Sequence, residues 1–219
     1  MSKNKAPFYF SVISSISHPR THQQMDKFFL NNTFVIDEKI AAFKLSNAYK
    51  VYNGEGQEVG AIQEHKSFFH IMLGLILPDS MMPFELNILN IDGKRIAQLK
   101  RNMTLFMSKV LIYNEAGMPI GSFKQKFALL KPKFTLVDNL GHEIATIKGD
   151  WKAWNFEITD AAGQQIGSVD KKWNGVAKEL FTTADKYAVN IEPSVTDENT
   201  RVAVASVAAA IDMILKEGN

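Results

Sequence analysis

Lysines and tryptophans that lie close together in the sequence are the residues whose types and spacing indicate a binding chemistry. Residues 100–178 carry twelve lysines and arginines against seven acids. Each cation near an anionic lipid surface contributes about 1 kcal/mol of binding, and tryptophan favours the boundary between water and lipid. The candidate lipid-binding residues are Lys124, Lys126, Lys131, Lys133, Trp151, Lys152, Trp154, Lys171, Lys172 and Trp173.

The same residues admit two other interpretations. The lysines can be ordinary solvated side chains, with the tryptophans covering the end of a packed domain. A basic excess can also indicate nucleic acid, but 25 basic residues against 23 acidic ones give a net charge of only +2. That balance is too small to predict a nucleic-acid partner, so none is expected.

The sequence contains no constellation that predicts catalysis. It has no cysteine, which excludes disulfides, thiolate metal sites and cysteine nucleophiles. Neither of the glycine-rich phosphate-binding motifs occurs, and no serine lies in a nucleophile-elbow context. His65 and His70 are five residues apart, so in a strand they would face opposite sides. We therefore predict a protein that is not an enzyme, with no catalytic residue, no metal site and no cofactor.

A short phrase that predicts a β-hairpin occurs five times. Its form is [N/D]-x-x-G-x-x-[I/V]-[G/A], with an apolar strand-like run before it and another after it. The Asn or Asp accepts a hydrogen bond from the backbone two residues on and starts a type I turn, and the Gly takes a positive φ in a G1 bulge. The Ile or Val is expected to face the core, and the small residue after it to leave room for a neighbour. The copies are 53–60, 90–97, 114–121, 138–145 and 160–167.

The run Val202–Leu215 predicts a helix that is apolar on every face. It is rich in alanine and contains neither Gly nor Pro. Such a helix must be surrounded by protein or by lipid. Its fourteen residues span about 21 Å, whereas a bilayer core needs about 30 Å. We expect enclosure within the protein's own sheet, with a short membrane anchor as the alternative.

Many antiparallel strands followed by one apolar helix predict a mainly β fold, a closed antiparallel barrel around a buried C-terminal hydrophobic helix. The barrel domain is expected over 25–219, with the helix at about 197–216 and Thr196 or Asp197 as its N-cap. Residues 1–24 are expected to form a partly ordered tail without a strong signal peptide. Within the domain, 27–37 reads as two short strands joined at Asn31-Asn32, and 68–82 as a buried strand and loop or a lipid-contacting flap.

The C-terminal third resembles the phospholipid scramblase family and its LURF-one-related cousins, which share the Tubby C-terminal-like fold. The resemblance is carried by I-G-S-V-D-K-K-W-N-G from Ile166, by F-T-T-A-D-K-Y from Phe181, and by I-D-M within the helix. It extends weakly back to about Met25. The resemblance implies a barrel of about twelve strands around a central hydrophobic helix, with a phospholipid membrane surface as the usual partner.

The resemblance also implies a location and a candidate calcium segment. The lack of cysteine fits a cytoplasmic protein, and the resemblance suggests one that is peripheral at the inner face of the membrane and engages anionic lipid; a soluble scaffold or protein-interaction module is the alternative. The family's calcium segment falls on 183–193, where Asp185, Asn190 and Glu192 could supply oxygens. Calcium usually takes six to eight oxygen ligands, and Lys186 adds a positive charge there, so calcium is not expected. Scramblases also share a proline-rich N-terminal segment and a cysteine cluster, and this sequence has neither.

Overall fold

The structure, a computed structural model, describes residues 25–37, 48–65, 81–103, 109–126, 133–150, 154–171 and 186–216. These residues form a 3-10 helix at Lys27–Leu30, twelve strands, and one α-helix, α1, at Glu198–Lys216. The strands are β1 (Thr33–Asp37), β2 (Ala48–Asn53), β3 (Glu58–Glu64), β4 (Phe84–Asn90), β5 (Arg95–Arg101), β6 (Lys109–Asn114), β7 (Pro119–Lys126), β8 (Lys133–Asp138), β9 (Glu143–Asp150), β10 (Asn155–Asp160), β11 (Gln165–Asp170) and β12 (Lys186–Ile191).

The strands form one closed antiparallel barrel. Each strand pairs with its neighbours in sequence, and β1 pairs with β12 to complete the wall, from Thr33 opposite Asn190 to Asp37 opposite Lys186. Closure pairs the backbone of every strand on both sides, so the sheet has no exposed edge. The predicted mainly β, closed barrel of about twelve strands is confirmed.

The barrel has two ends that differ in their connections. At one, which we call the turn end, lie the five hairpin turns 53–57, 90–94, 114–118, 138–142 and 160–164, and α1 begins there after β12. At the other, the far end, α1 finishes. Strand ends at the far end lead into residues outside the described ranges, including most of 68–82; residues 1–24 also lie outside them.

The five turns have the predicted chemistry. In the turn at Asp138, the side-chain Oδ1 accepts hydrogen bonds from the backbone N–H groups of Leu140 and His142 at 2.9 and 2.8 Å. Gly141 has a φ of 92°, and the matching glycine of every other copy is also positive. Asn and Asp therefore act alike at this position, because each offers one oxygen to the same two donors.

Each hairpin also contains a second bulge that the sequence did not predict. Ile158 lies opposite Gly167 and Thr159 lies opposite Gln165, so Ile166 is the extra residue in its strand. In the other four hairpins too, the Ile or Val of the phrase is the extra residue that has no partner in the opposite strand. Bulges raise the local twist of a strand. Five of them in register at the turn end help the sheet to curl and close.

The helix α1 fills the barrel, and the enclosed interpretation of Val202–Leu215 is confirmed. Every residue from Arg201 to Ile211 is buried. Ser206 is satisfied inside the helix, since its hydroxyl donates to the carbonyl of Val202 at 2.7 Å. A Cβ added at Gly167 would lie 2.6 Å from the backbone carbonyl of Asn190 in β12 and 3.1 Å from Val204 of α1, so the neighbouring strand first, and then the helix, excludes a side chain there. Among the described residues, no helix is long and apolar enough to cross a membrane.

The N-cap of α1 is Asp197, one of the two expected residues. Its carboxylate accepts from the backbone N–H and the hydroxyl of Thr200, at 2.8 and 2.7 Å. The expectation of two strands within 27–37 is wrong, because only the second segment is a strand. Asp26 accepts a hydrogen bond from the N–H of Phe28 and starts a 3-10 turn that buries the rings of Phe28 and Phe29 at the turn end.

A charge placed in the middle of α1 should disrupt the fold. Ala209 is 1% exposed, so Ala209→Asp puts an unpaired carboxylate in the core at a cost of about 3–5 kcal/mol. Urea denaturation measures the loss, with Ala162→Asp in an exposed turn as the matched control. Equal stability of the two variants would show that α1 does not lie inside the barrel.

The turn at Asp138 should give the protein a pH-dependent stability. Desolvation alone would raise the pKa of Asp138, but the hydrogen bonds from Leu140 and His142 and the charge of His142 outweigh it and hold the pKa below its usual value. A lowered pKa stabilises the fold above about pH 4, and this contribution is lost as the pH falls through the folded-state pKa. Asp138→Asn keeps the turn, since Asn occupies the position in three other copies. We expect a small loss of stability at neutral pH, because the contribution of the ionised carboxylate is gone, and a shallower further loss below about pH 4; an unchanged acid profile would contradict the assignment.

Candidate functional site

Four lysines converge on the outer face of the barrel near the far end. Lys109 lies opposite Lys124 across β6 and β7, and Lys133 lies opposite Lys148 across β8 and β9. Their sequence neighbours Val110, Phe123, Phe134 and Ile147 belong to the core. Because adjacent strand residues face opposite sides, the four lysines point away from α1. We call this set the lysine patch.

The lysine patch is electrostatically unfavourable for the protein alone. Like charges directly opposite each other on a sheet destabilise it by a few tenths to about 1 kcal/mol per pair. Within the described part of the chain, no carboxylate lies within ion-pair distance of any of the four. Glu157 on β10 is directly opposite Lys148 and offsets part of the charge of that lysine. By contrast, Lys186 at the same end pairs with Asp37 at 2.8 Å. The patch is therefore a surface to which an anionic partner would bring compensation.

Two of the predicted site residues, Trp154 and Lys171, come together beside this end of the barrel. The ring of Trp154 stacks on Tyr187 with centroids 5.0 Å apart, and the Lys171 ammonium lies 5.7 Å from the Trp154 ring centre. Trp154 has a φ of 47°, the one positive φ at a non-glycine residue in the described ranges. Such a conformation costs about 1–3 kcal/mol for a bulky residue, so the stacking and the hydrogen bond from Lys171 N–H to the Trp154 carbonyl offset real strain.

The structure places only part of the predicted set. Lys124 and Lys133 belong to the lysine patch, and Lys126 is placed by its backbone, opposite Lys133. Lys109 and Lys148 were counted in the basic excess but not assigned to the site, because only the strand register shows that they face assigned lysines. The predicted residues outside the described ranges are Lys131, Trp151, Lys152, Lys172 and Trp173.

The candidate calcium segment is partly described. Asn190 is engaged in the barrel wall, where its side chain accepts from Thr33 and donates to Ser168 at 3.1 and 3.3 Å. Glu192 follows β12 at the turn end, whereas Lys186 begins β12 at the far end. Six strand residues span about 20 Å. Asp185, which precedes Lys186, lies outside the described residues, and the expectation of no calcium stays a prediction.

The two ends of the barrel differ in their balance of charge. The lysine patch, Lys171 and Lys186 lie at the far end near the C-terminus of α1, together with four acids that end strands there, Asp37, Glu64, Asp150 and Asp170. At the turn end, Asp197 and Glu198 lie at the start of α1, where a negative charge stabilises the helix dipole. The other acids at the turn end are Asp26, Glu55, Glu58, Asp92, Glu115, Asp138, Glu143, Asp160 and Glu192, against Lys27, Lys94 and Arg95.

A buried arginine joins the 3-10 helix to α1 at the turn end. The Arg201 guanidinium donates to the carbonyls of Phe29, Val195 and Asn31 and to the side chain of Asn32, at 2.6–2.9 Å. All four acceptors are neutral. Burial lowers the pKa of Arg201, yet an arginine stays protonated in proteins. The bonds to the carbonyls of Phe29 and Val195 are buried, whereas those to Asn31 and Asn32 are partly buried.

A groove of about 630 Å³ lies beside this arrangement at the turn end. Its apolar wall comes from Met25, Phe28, Leu30, Val59 and Ile91, and three carboxylates also line it. The remaining lining residues are Asp26, Lys27, Asn31, Asn53, Gln57, Glu58, Asn90 and Asp92. Sequence reasoning missed this groove, because its walls come from three separate segments.

A closed antiparallel barrel that encloses its own C-terminal helix defines the class of protein. Comparison with known families then identifies the family: the family model described as Scramblase matches residues 17–216. This protein belongs to the Scramblase family, as the sequence resemblance implied.

Individual relatives are distant. The chain is 23% identical to phospholipid scramblase 1 of Homo sapiens, over 89% of this chain and 64% of that protein. It is 22% identical to phospholipid scramblase 1 of Mus musculus, over 89% of this chain and 62% of that protein. The chain therefore spans about three fifths of the length of these relatives. An X-ray structure of an Arabidopsis thaliana protein aligns at 9% identity and a TM-score of 0.46, over 85% of this chain and 91% of that one.

Arg201 should not be replaceable by lysine. Arg201→Lys keeps the charge, but a single ammonium nitrogen cannot reproduce the planar fork that reaches all four acceptors, so one or both of the buried carbonyls of Phe29 and Val195 lose their donor. At about 1–3 kcal/mol for each unsatisfied group, we expect a loss of about 2–5 kcal/mol in the free energy of unfolding. Urea denaturation measures it, and Arg95→Lys on the exposed turn end is the control. A loss no larger than that of the control would mean that the four bonds do not stabilise the fold.

Proposed function

We propose that this protein binds the anionic phospholipid surface of a membrane through the lysine patch and the adjoining Trp154 and Lys171, without catalysing a reaction on the lipid. The observation that carries the proposal is the pairing of like charges, Lys109 with Lys124 and Lys133 with Lys148. In the described strands, Glu157 opposite Lys148 is the one carboxylate that directly faces any of these four lysines, so the patch keeps an excess of positive charge. Membership of the Scramblase family supports the same partner.

The strength of binding can be bounded from the charges. At about 1 kcal/mol for each cation near an anionic leaflet, the lysine patch supplies about 4 kcal/mol, which is only millimolar affinity. Lys131, Lys152 and Lys172 lie close in sequence to strand residues at the same end. If they also reach the lipid, the sum rises to about 7 kcal/mol and the affinity to the micromolar range. This is reversible binding of a peripheral protein.

The buried helix supports binding at the surface rather than insertion. Removing α1 from the barrel would expose the apolar faces of both helix and wall, from Val202 to Ile214 and from β1 to β12. The protein therefore binds as a folded barrel, with its far end toward the lipid and its acidic turn end away from it. The cytoplasmic leaflet carries the anionic lipids, so the inner face of the membrane is the proposed location.

The proposal gives calcium no role. At the described far end, Asp37 is paired with Lys186 at 2.8 Å and Asp170 accepts from the Ser168 hydroxyl at 2.8 Å. We therefore propose that lysine charge alone attracts the lipid, with equal binding in calcium and in a chelator.

Vesicle flotation tests the proposal with two neutralising substitutions. Lys124→Gln with Lys133→Gln removes two cations, and should weaken binding to phosphatidylserine-containing vesicles by about 2 kcal/mol, or roughly 30-fold. Because the substitutions also relieve like-charge repulsion, we expect stability to be unchanged or slightly higher. The assay is run in calcium and in chelator, and at low and high salt.

The control carries the same charge change at the other end. Lys27→Gln with Arg95→Gln alters two exposed cations at the turn end and should leave flotation unchanged. Equal weakening by both double variants would indicate attraction by net charge alone. Binding that does not depend on anionic lipid would leave a scaffold or protein-interaction module as the function.

A further inference from the structure

The turn-end groove has a chemistry that indicates a specific occupant. Its apolar wall is bordered by Leu30 and Ile91, which are 60% and 62% exposed, and these are two of the most exposed large apolar side chains in the described ranges. Asp26, Glu58 and Asp92 line the same groove together with one lysine, Lys27. Glu58 is already paired with Lys50 at 2.7 Å, so Asp26 and Asp92 are the acids left to attract a cation. A partner that fits must be apolar along its length and positively charged at its ends.

The chain carries such a segment immediately before the groove. Residues 1–24 contain Lys3, Lys5 and Arg20 and no acid, and residues 6–13 read A-P-F-Y-F-S-V-I. The first described residue, Met25, is itself part of the groove wall. We propose that the groove binds the protein's own N-terminal segment, with residues 6–13 against its apolar wall and the flanking cations near its acids.

The geometry permits this contact within one molecule. Between Ile13 and Met25 the chain has eleven residues, which span at most about 40 Å when extended. The groove begins at Met25, so this connection is long enough for residues 6–13 to fold back onto the groove. A tether this short also gives the segment a millimolar effective concentration at the groove, so weak contacts are enough for occupancy.

Hydrogen bonds fix the two walls of the groove relative to each other. Asp26 accepts from the Phe28 N–H at 2.9 Å and from the Asn90 side chain at 3.0 Å, which joins the 3-10 helix to the turn that carries Ile91. Arg201 anchors the backbone of the 3-10 segment at Phe29 and Asn31. The groove therefore has walls held in place before any segment binds to it.

The absence of cysteine from the sequence makes a direct test possible. Val12→Cys in the full chain accepts a single bimane label, whose emission is lost on contact with tryptophan. Ile91→Trp places a quencher on the groove margin, and Leu140→Trp places one on another exposed hairpin turn. We expect loss of emission with the tryptophan at 91 and not with the one at 140. Equal emission from the two proteins would overturn the proposal.

Two further pairs of variants test the chemistry of the contact in the Ile91→Trp background. Asp92→Lys should restore emission, as should high salt, whereas Glu157→Lys on the outer wall should not. Phe8→Ser with Phe10→Ser should also restore emission, whereas Ser14→Ala with Ser15→Ala should not. Quenching that persists through both groove-directed changes would mean that the segment does not bind by these contacts.

Mixing distinguishes one molecule from two. Labelled Val12→Cys protein without the added tryptophan is combined with unlabelled Ile91→Trp protein. Emission that stays constant, and quenching in the double variant that does not change on dilution, support binding within one chain. Loss of emission on mixing would show exchange between two copies and would overturn the assignment to the protein's own groove.

Discussion

The enclosure of an apolar helix on every side is the constraint on which this structure depends. A helix with one apolar stripe can lie against an open sheet, but α1 has no polar face to present to water. The wall must therefore close, and closure requires that β1 meets β12. It also requires small residues in the wall, as at Gly167, where a Cβ would meet the Asn190 carbonyl of the next strand and Val204 of the helix. Arg201 then joins the helix to the chain that precedes the first strand.

The parts of the fold that could be predicted from sequence are those determined by a few adjacent residues. The turn at Asp138 needs only one side-chain oxygen and one glycine, and both are visible in the phrase. The N-cap at Asp197 is equally local. The extra bulge at Ile166 was not predicted, because an apolar residue before a small one fits a regular strand as well as a bulged one. The run 27–30 was misread because three apolar residues look like a strand unless the capping role of Asp26 is recognised.

The candidate site was harder to predict than the fold, because it depends on pairs across strands. The basic excess in the composition led to the assignment of Lys124 and Lys133 to the lipid-binding set. Nothing in the sequence spacing shows that Lys109 and Lys148 lie opposite them. Register is decided by the hairpin bulges and by closure of the barrel, both of which lie far from these residues in sequence. The groove at the turn end is still less local, since Met25, Val59 and Ile91 meet only in the finished barrel.

The pairing of β1 with β12 also has a consequence for how the protein reaches its native state. Thr33 and Asn190 are separated by most of the chain, and α1 follows them both. During synthesis the early hairpins can form, but they make a curved sheet whose concave apolar face has nothing to cover it. Contacts so distant in sequence are slow to form, and exposed apolar sheets aggregate. A nascent chain stalled before the helix would therefore be a natural client for chaperones and proteases.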